Sequence, residues 1–248
     1  MSGHSKWSTI KRKKAAVDAA RGKIFTRIAK ELSIAAREGG ADESANPRLR
    51  TAMSTARAAN MPLANIERAV KKGTGELEGV TIEEILYEGY GPGGVALMME
   101  VATDNRNRTV SELRHILTKH GGNLASSGAV SWMFETKGVI QVPVEGVDDD
   151  DLMLTALEAG AEDLSREDDY FEILTTPSDL NKVNEALGAA EYHVEVAQIQ
   201  HIPNSFTEIS SEDIPQVVKL MDLLDDHEDM QKLSASVDFT DEMLAGLE

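Results

Sequence analysis

The sequence predicts an α+β, multidomain protein: an N-terminal helical bundle plus two α/β sandwich domains, one ferredoxin-like and inserted in the other. Three observations predict it. Charge changes sign along the chain: residues 1–72 carry 16 Lys/Arg against 6 Asp/Glu, a net of +10, while the remaining 176 carry 9 and 37, a net of −28, and the sum is the −18 of the whole chain. The spacing of apolar residues changes from helical to strand-like near residue 80. Residues 138–202 read as β-α-β-β-α-β, the ferredoxin-like order. The full length of 248 residues accommodates two or three such domains.

The basic segment is helical by pattern. Over 23–38 the apolar Phe25, Ile28, Leu32 and Ala35 recur at three- and four-residue spacing, and Gly39-Gly40 ends the run. Lys23, Arg27, Lys30 and Arg37 fall on the opposite side, a cationic stripe interrupted by Ile34. Asn46-Pro47 starts a second helix, with Asn as N-cap and Pro at its first position. There Leu49, Met53 and Ala56 face inward, while Arg50 and Arg57 share another face. Pro62 opens a third helix with Leu63, Ile66 and Val70 apolar and Arg68, Lys71 and Lys72 basic, stopped by Gly73. With a flexible arm before it and a glycine-bearing linker over 73–79 after it, the first domain is expected to span 1–79.

Strands are expected at 82–90 and 95–102, joined by a turn at Gly91-Pro-Gly-Gly94, then a helix over 105–120 and a strand over 130–134. The ferredoxin-like unit follows, with strands at 139–142, 161–164, 170–174 and 194–202 and helices at 149–159 and 178–189. A strand at 206–209, a helix at 213–224 and a strand at 232–239 complete the chain. Because 83–134 alone makes only a partial sheet, 80–137 and 203–248 are expected to form one discontinuous domain into which 138–202 is inserted.

Composition narrows the chemistry. There is no cysteine, which removes disulfides, thiolate metal sites and a cysteine nucleophile. No apolar run reaches the roughly 20 residues of a membrane span, and residues 1–14 have charge without the apolar core of a signal peptide, so a cytoplasmic location is expected. Gly89-Tyr-Gly-Pro-Gly-Gly94 satisfies G-x-G-x-x-G, but a strand follows where a dinucleotide site needs a helix, so it reads as a turn. The six histidines show no ligand spacing, and Asp148 to Asp151 lies where carboxylates cap a helix. Ser8 to Lys11 matches S-x-x-K without the companion motifs. No cofactor, metal or catalytic group is expected, and the chain reads as a non-enzyme.

The basic segment remains. Lys6, Lys11, Arg12, Lys13, Lys14, Arg21 and Lys23 crowd the first 23 residues around Trp7, a density suited to phosphate contacts beside an aromatic ring that can stack on a base. With Arg27, Lys30, Arg37, Arg50 and Arg57 they form the expected nucleic-acid-binding set, and Arg106 and Arg108 form a secondary candidate at the start of the middle helix. Phosphate contacts do not report which sugar they follow, so DNA and ribosomal RNA both remain open as partner. The acidic body is expected to face elsewhere, with a protein partner as its candidate, and no membrane is expected.

At these residues the sequence resembles the YebC family, which includes the bacterial YebC/PmpR regulators and the mitochondrial translational activator of cytochrome c oxidase subunit I. The resemblance is carried by Gly3-His-Ser-Lys-Trp7, Arg21-Gly-Lys-Ile-Phe-Thr26, Asn46-Pro-Arg-Leu-Arg50, Tyr87-Glu-Gly-Tyr-Gly-Pro-Gly-Gly94, Asp104-Asn-Arg-Asn-Arg-Thr109 and Gly121-Gly-Asn-Leu124. Beyond about Gly138 it is mainly one of layout, and it departs at Leu63-Ala64, where many members carry polar residues. The resemblance implies three domains and no catalytic activity. It implies either a DNA-binding transcriptional regulator or a ribosome-associated translation factor that relieves stalled translation. A protein–protein adaptor, its basic module docking an acidic partner, is the third expectation.

Overall fold

The computed structural model describes residues 19–239. The helical period at the N-terminus produces α1 (Ala19–Gly39), α2 (Pro47–Ala58) and α3 (Leu63–Gly73). Their core joins Ile28, Leu32 and Ala35 of α1 to Leu49, Ala52 and Ala56 of α2 and to Ile66 and Ala69 of α3. Asn46 does more than cap α2. Its side-chain oxygen accepts from the Leu49 amide at 3.0 Å, while its amide nitrogen donates to the carbonyls of Ala35 at 2.7 Å and Gly40 at 2.9 Å. One buried side chain thus satisfies the end of one helix and the start of the next. Asn46→Ala is expected to lower stability by about 2 kcal/mol in urea unfolding, more than a cap alone, because two carbonyls lose their donor. Where α3 ends, a Cβ on Gly73 would meet the Ser33 carbonyl oxygen at 2.2 Å, so the helices approach closely only with glycine there.

After the linker the chain forms β1 (Glu83–Tyr90) and β2 (Ala96–Thr103), paired antiparallel from Glu83↔Thr103 to Tyr90↔Ala96. The turn between them holds Gly93 at φ 67° and Gly94 at φ 78°, which explains the paired glycines. Helix α4 (Arg106–Lys119) and the short β3 (Asn123–Leu124) follow. Far along the sequence, α7 (Ile214–Asp225) and β8 (Met230–Ala235) return to complete a sheet in the order β3-β1-β2-β8. One face of that sheet, with Leu97, Met99 and Val101, is covered by Leu113 and Leu117 of α4 and by Val217, Leu220, Met221 and Leu224 of α7.

Two expected strands do not form. At 130–134 the amides of Val130 and Ser131 go instead to the buried Glu88 carboxylate, at 2.7 and 3.0 Å, and Ser131–Met133 makes a 3-10 turn. Burial alone would raise the Glu88 pKa, but the backbone donors at Gly128, Val130 and Ser131 outweigh it and leave it lowered. At 206–209 the Thr207 amide donates to the carbonyl of Ser236, just past the end of β8, at 2.6 Å, and no strand ladder forms.

Phe134–Asn204 forms a compact unit of its own. It contains β4 (Phe134–Pro143), α5 (Asp149–Ala159), β5 (Asp163–Arg166), β6 (Tyr170–Thr175), α6 (Leu180–Ala189) and β7 (Val196–Pro203). The antiparallel order β5-β6-β4-β7 is the ferredoxin-like topology. Ile140, Val142, Phe171 and Ile173 of its sheet pack on Leu152 and Ala156 of α5 and Val183 and Leu187 of α6. Asp148 caps α5 by accepting from the amides of Asp150 and Asp151. β4 begins at Phe134, paired with Pro203, so the join expected at Gly138 falls inside a continuous strand. Glycine does not end a strand whose backbone is paired on both sides. The bundle and the β3-β1-β2-β8 sheet share the second compact unit.

Candidate nucleic-acid interface

Lys6, Trp7, Lys11, Arg12, Lys13, Lys14 and the side chain of Arg21 lie outside the described residues. The cationic stripe of α1 is described, and its partners are carboxylates and carbonyls of the same chain. Lys23 lies 3.5 Å from Asp226, both half exposed. Arg27 meets the Asp225 carboxylate at 3.1 Å and also donates to the Asp225 carbonyl. Lys30 reaches Asp229 at 2.6 Å and gives its other two hydrogens to the carbonyls of Ala102 at 2.9 Å and Glu228 at 3.0 Å. Arg37, at the far end of the helix, donates to the Ile82 carbonyl.

The acidic turn after α7 therefore receives the first three cations of the stripe. Asp229 is its centre, 1 % exposed, and accepts from Lys30, from Arg108 at 2.9 Å and from the Thr109 hydroxyl at 2.7 Å. Burial pushes its pKa up, but the hydrogen bonds from Lys30, Thr109 and Arg108 outweigh that and hold it at about 2. The run from Asp104 to Thr109 is shaped to hold these donors in place. Asn105 caps α4 by accepting from the Arg108 amide, while the Thr103 hydroxyl accepts from the Asn105 amide and donates its own hydrogen to the Thr109 oxygen, leaving the Thr109 hydrogen for Asp229. Arg108 lies also within 3.3 Å of Asp104 and 3.5 Å of Glu228.

The remaining arginines divide. Arg50 donates to the carbonyls of Glu43 and Ser44, and Arg57 makes a two-pronged pair with Glu43 at 3.0 and 2.9 Å, so both staple the loop before α2. Arg48 links Glu31 and Glu38 of α1 to Glu84 of β1 at 2.8, 2.8 and 2.5 Å. Arg106 is exposed with no ion pair to another described residue. So are Arg68, Lys71 and Lys72 on the outer face of α3, three cations absent from the expected binding set. Their signal was legible: that helix has one carboxylate, Glu67, among three basic residues. The occupied stripe also had a signal. Ile34, which interrupts it, is 1 % exposed, and an apolar residue inside a charged face marks a face that packs.

Chemically, the described surface offers guanidinium and ammonium groups, the donors that meet phosphate oxygens. Among the described residues no three His, Asp or Glu side chains converge as a metal site.

Comparison with known proteins matches residues 5–76 to the TACO1/YebC protein N-terminal domain and residues 82–237 to the TACO1/YebC second and third domain. A probable transcriptional regulatory protein of Desulforapulum autotrophicum is 54 % identical over 243 residues, covering 98 % of each chain. One of Chlorobaculum tepidum is 51 % identical over 249 residues, covering 100 % of this chain and 99 % of its own. The crystal structure of a conserved hypothetical protein from Aquifex aeolicus superposes with a TM-score of 0.87 at 48 % identity, covering 93 % of this chain and 96 % of that one.

Proposed function

Because this chain belongs to the TACO1/YebC family, we propose that it is a non-enzymatic, nucleic-acid-binding regulator of gene expression, a DNA-binding transcriptional regulator of the YebC type. The observation that carries this reading is the segregation of charge. A net of +10 sits in the first 72 residues of a chain whose remainder is −28. Such a field draws a polyanion to one end and repels it from the other. Within that end, Arg68, Lys71 and Lys72 are exposed without ion pairs to described residues, and the run from Lys6 to Lys14 adds five more cations. The relatives' shared name, probable transcriptional regulatory protein, supports the regulatory role. The protein works in the cytoplasm in this reading, and no described helix is long and apolar enough to cross a membrane.

A second reading, a translation factor that binds ribosomal RNA, is favoured by one observation. The longest basic helix, α1, has Lys23, Arg27 and Lys30 engaged by the acidic turn and Arg37 by the Ile82 carbonyl, so among the described residues its cationic stripe is not free for reading bases in a DNA groove. Structured RNA held by phosphate contacts does not require such a face.

A competition separates the two. The protein is offered ribosomes and duplex genomic fragments together at about 150 mM salt, where non-specific phosphate binding is already weakened. Retention on particular duplex fragments, with ribosomes left empty, is the expected result for the regulator. Co-sedimentation with ribosomes that survives excess duplex replaces it with the translation factor.

A further inference from the structure

The carboxylates of the acidic turn sit on the α1 cations as the phosphates of a nucleic acid strand would. We propose that Lys23, Arg27 and Lys30 are a binding site for a phosphodiester backbone, which the turn from Asp225 to Asp229 occupies in the free protein and yields on binding. This rests on the proposed nucleic-acid binding of the chain.

Three features of the structure make the contact releasable. First, it is mainly polar. The apolar core of the helical bundle and that of the β3-β1-β2-β8 sheet share no residue; Ile34 is the one buried apolar side chain on the stripe, and what joins Lys23, Arg27 and Lys30 to the acidic turn is ion pairs and hydrogen bonds. Salt and competing anions weaken such contacts, whereas they would leave an apolar interface in place. Second, the turn does not depend on α1. If Lys30 leaves, Asp229 keeps Arg108 and Thr109, so its buried carboxylate is never stranded without a donor. Third, the attachment at the opposite end of α1 is separate. Arg37 holds the Ile82 carbonyl and Arg48 holds Glu84, both beside the covalent linker, about 20 Å along the helix from Lys23. Gly75, at φ 79°, and Gly79 lie in that linker, so α1 can swing about it with its N-terminal half moving furthest.

An exchange of carboxylate for phosphate at the same cations couples binding to domain opening. Tight occupation by the turn lowers the apparent affinity in proportion to the fraction of molecules that are open. It also excludes anions that cannot supply several charges at once, since three cations must be satisfied together.

The test compares Asp225→Asn/Asp226→Asn with wild type and with Glu208→Gln/Glu212→Gln. The control pair is exposed, lies outside the acidic turn and removes the same charge. The probes are a short DNA duplex and an RNA hairpin of equal charge. One half-exposed and one part-buried ion pair are together worth about tenfold in a binding constant, so the Asp225/Asp226 variant is expected to bind about five- to tenfold more tightly, with the control within about twofold of wild type. Because the chain has no cysteine, Thr26→Cys on α1 and Lys219→Cys on α7 give a clean dye pair. Energy transfer between them is expected to fall on adding the probe, and to be lower from the start in the Asp225/Asp226 variant. The probe that produces the fall identifies the source of the backbone. Binding to wild type with no fall in transfer, and with the two double variants alike, overturns the exchange while leaving nucleic-acid binding standing. No binding of either probe to wild type overturns both.

Discussion

Replacing Lys11, Arg12, Lys13 and Lys14 together with glutamate is expected to lower nucleic-acid affinity at about 150 mM salt by a hundredfold or more, measured by fluorescence anisotropy. Each lost phosphate contact removes roughly 0.9 from the slope of log affinity against log salt on a duplex, so four contacts should flatten it by roughly 3.6. The thermal midpoint is expected to stay nearly constant. All four precede the apolar helical pattern of residues 23–38 and fall in the arm expected from the sequence, where charge substitutions change stability by about 0.5 kcal/mol at most. Retained affinity with an unchanged slope would remove the N-terminal basic run from the interface and leave the face of α3, with Arg68, Lys71 and Lys72, to carry it. A fall in midpoint equal to that of a core variant would show instead that the run is part of the folded bundle.

The second large effect concerns stability. Asp229→Ala is expected to cost about 3 kcal/mol in urea unfolding, because it leaves the part-buried cations of Lys30 and Arg108 facing one another without the carboxylate between them. Asp229→Asn should cost less, since its side-chain oxygen still accepts one hydrogen bond. The pH dependence has a definite sign. The folded pKa, about 2, lies below the ordinary 3.8. The ionised group therefore stabilises the fold fully above about pH 4, and that contribution, roughly 2 kcal/mol, is lost as pH falls toward 2. Acid unfolding of wild type should steepen in that window, and Asp229→Asn should lack that component. An unchanged acid profile in the variant would mean that Asp229 is not the group that ties these elements together.

The two predictions concern opposite ends of one electrostatic arrangement. The N-terminal cations outside the described residues are the ones proposed to reach nucleic acid first. The cations of α1 are engaged by Asp225, Asp226 and Asp229. This division is why a count of positive charge overstates the free charge. Of the expected set, Arg27, Lys30, Arg50, Arg57 and Arg108 all have hydrogen-bonded partners within the chain.

What the sequence by itself determined was local. Asn46-Pro47 starts a helix because the Asn oxygen meets an amide three residues on, and those atoms are close whatever the rest of the chain does. Asp148 caps α5 for the same reason, and Gly93 and Gly94 turn the β1–β2 hairpin because they alone adopt its backbone angles without strain. Apolar spacing of two and of three or four residues set the order of strands and helices, and that order determined the ferredoxin-like unit. The tertiary structure decided what depends on residues distant in sequence. Whether 130–134 pairs as a strand depended on Glu88, whose carboxylate takes the amides a neighbouring strand would have used. Whether the α1 stripe is free depended on Asp229, 199 positions from Lys30. A charge fixes what a side chain can bind, but only the fold brings a partner within 3 Å, and a carboxylate of the same chain, once there, needs no encounter to compete with a phosphate from solution.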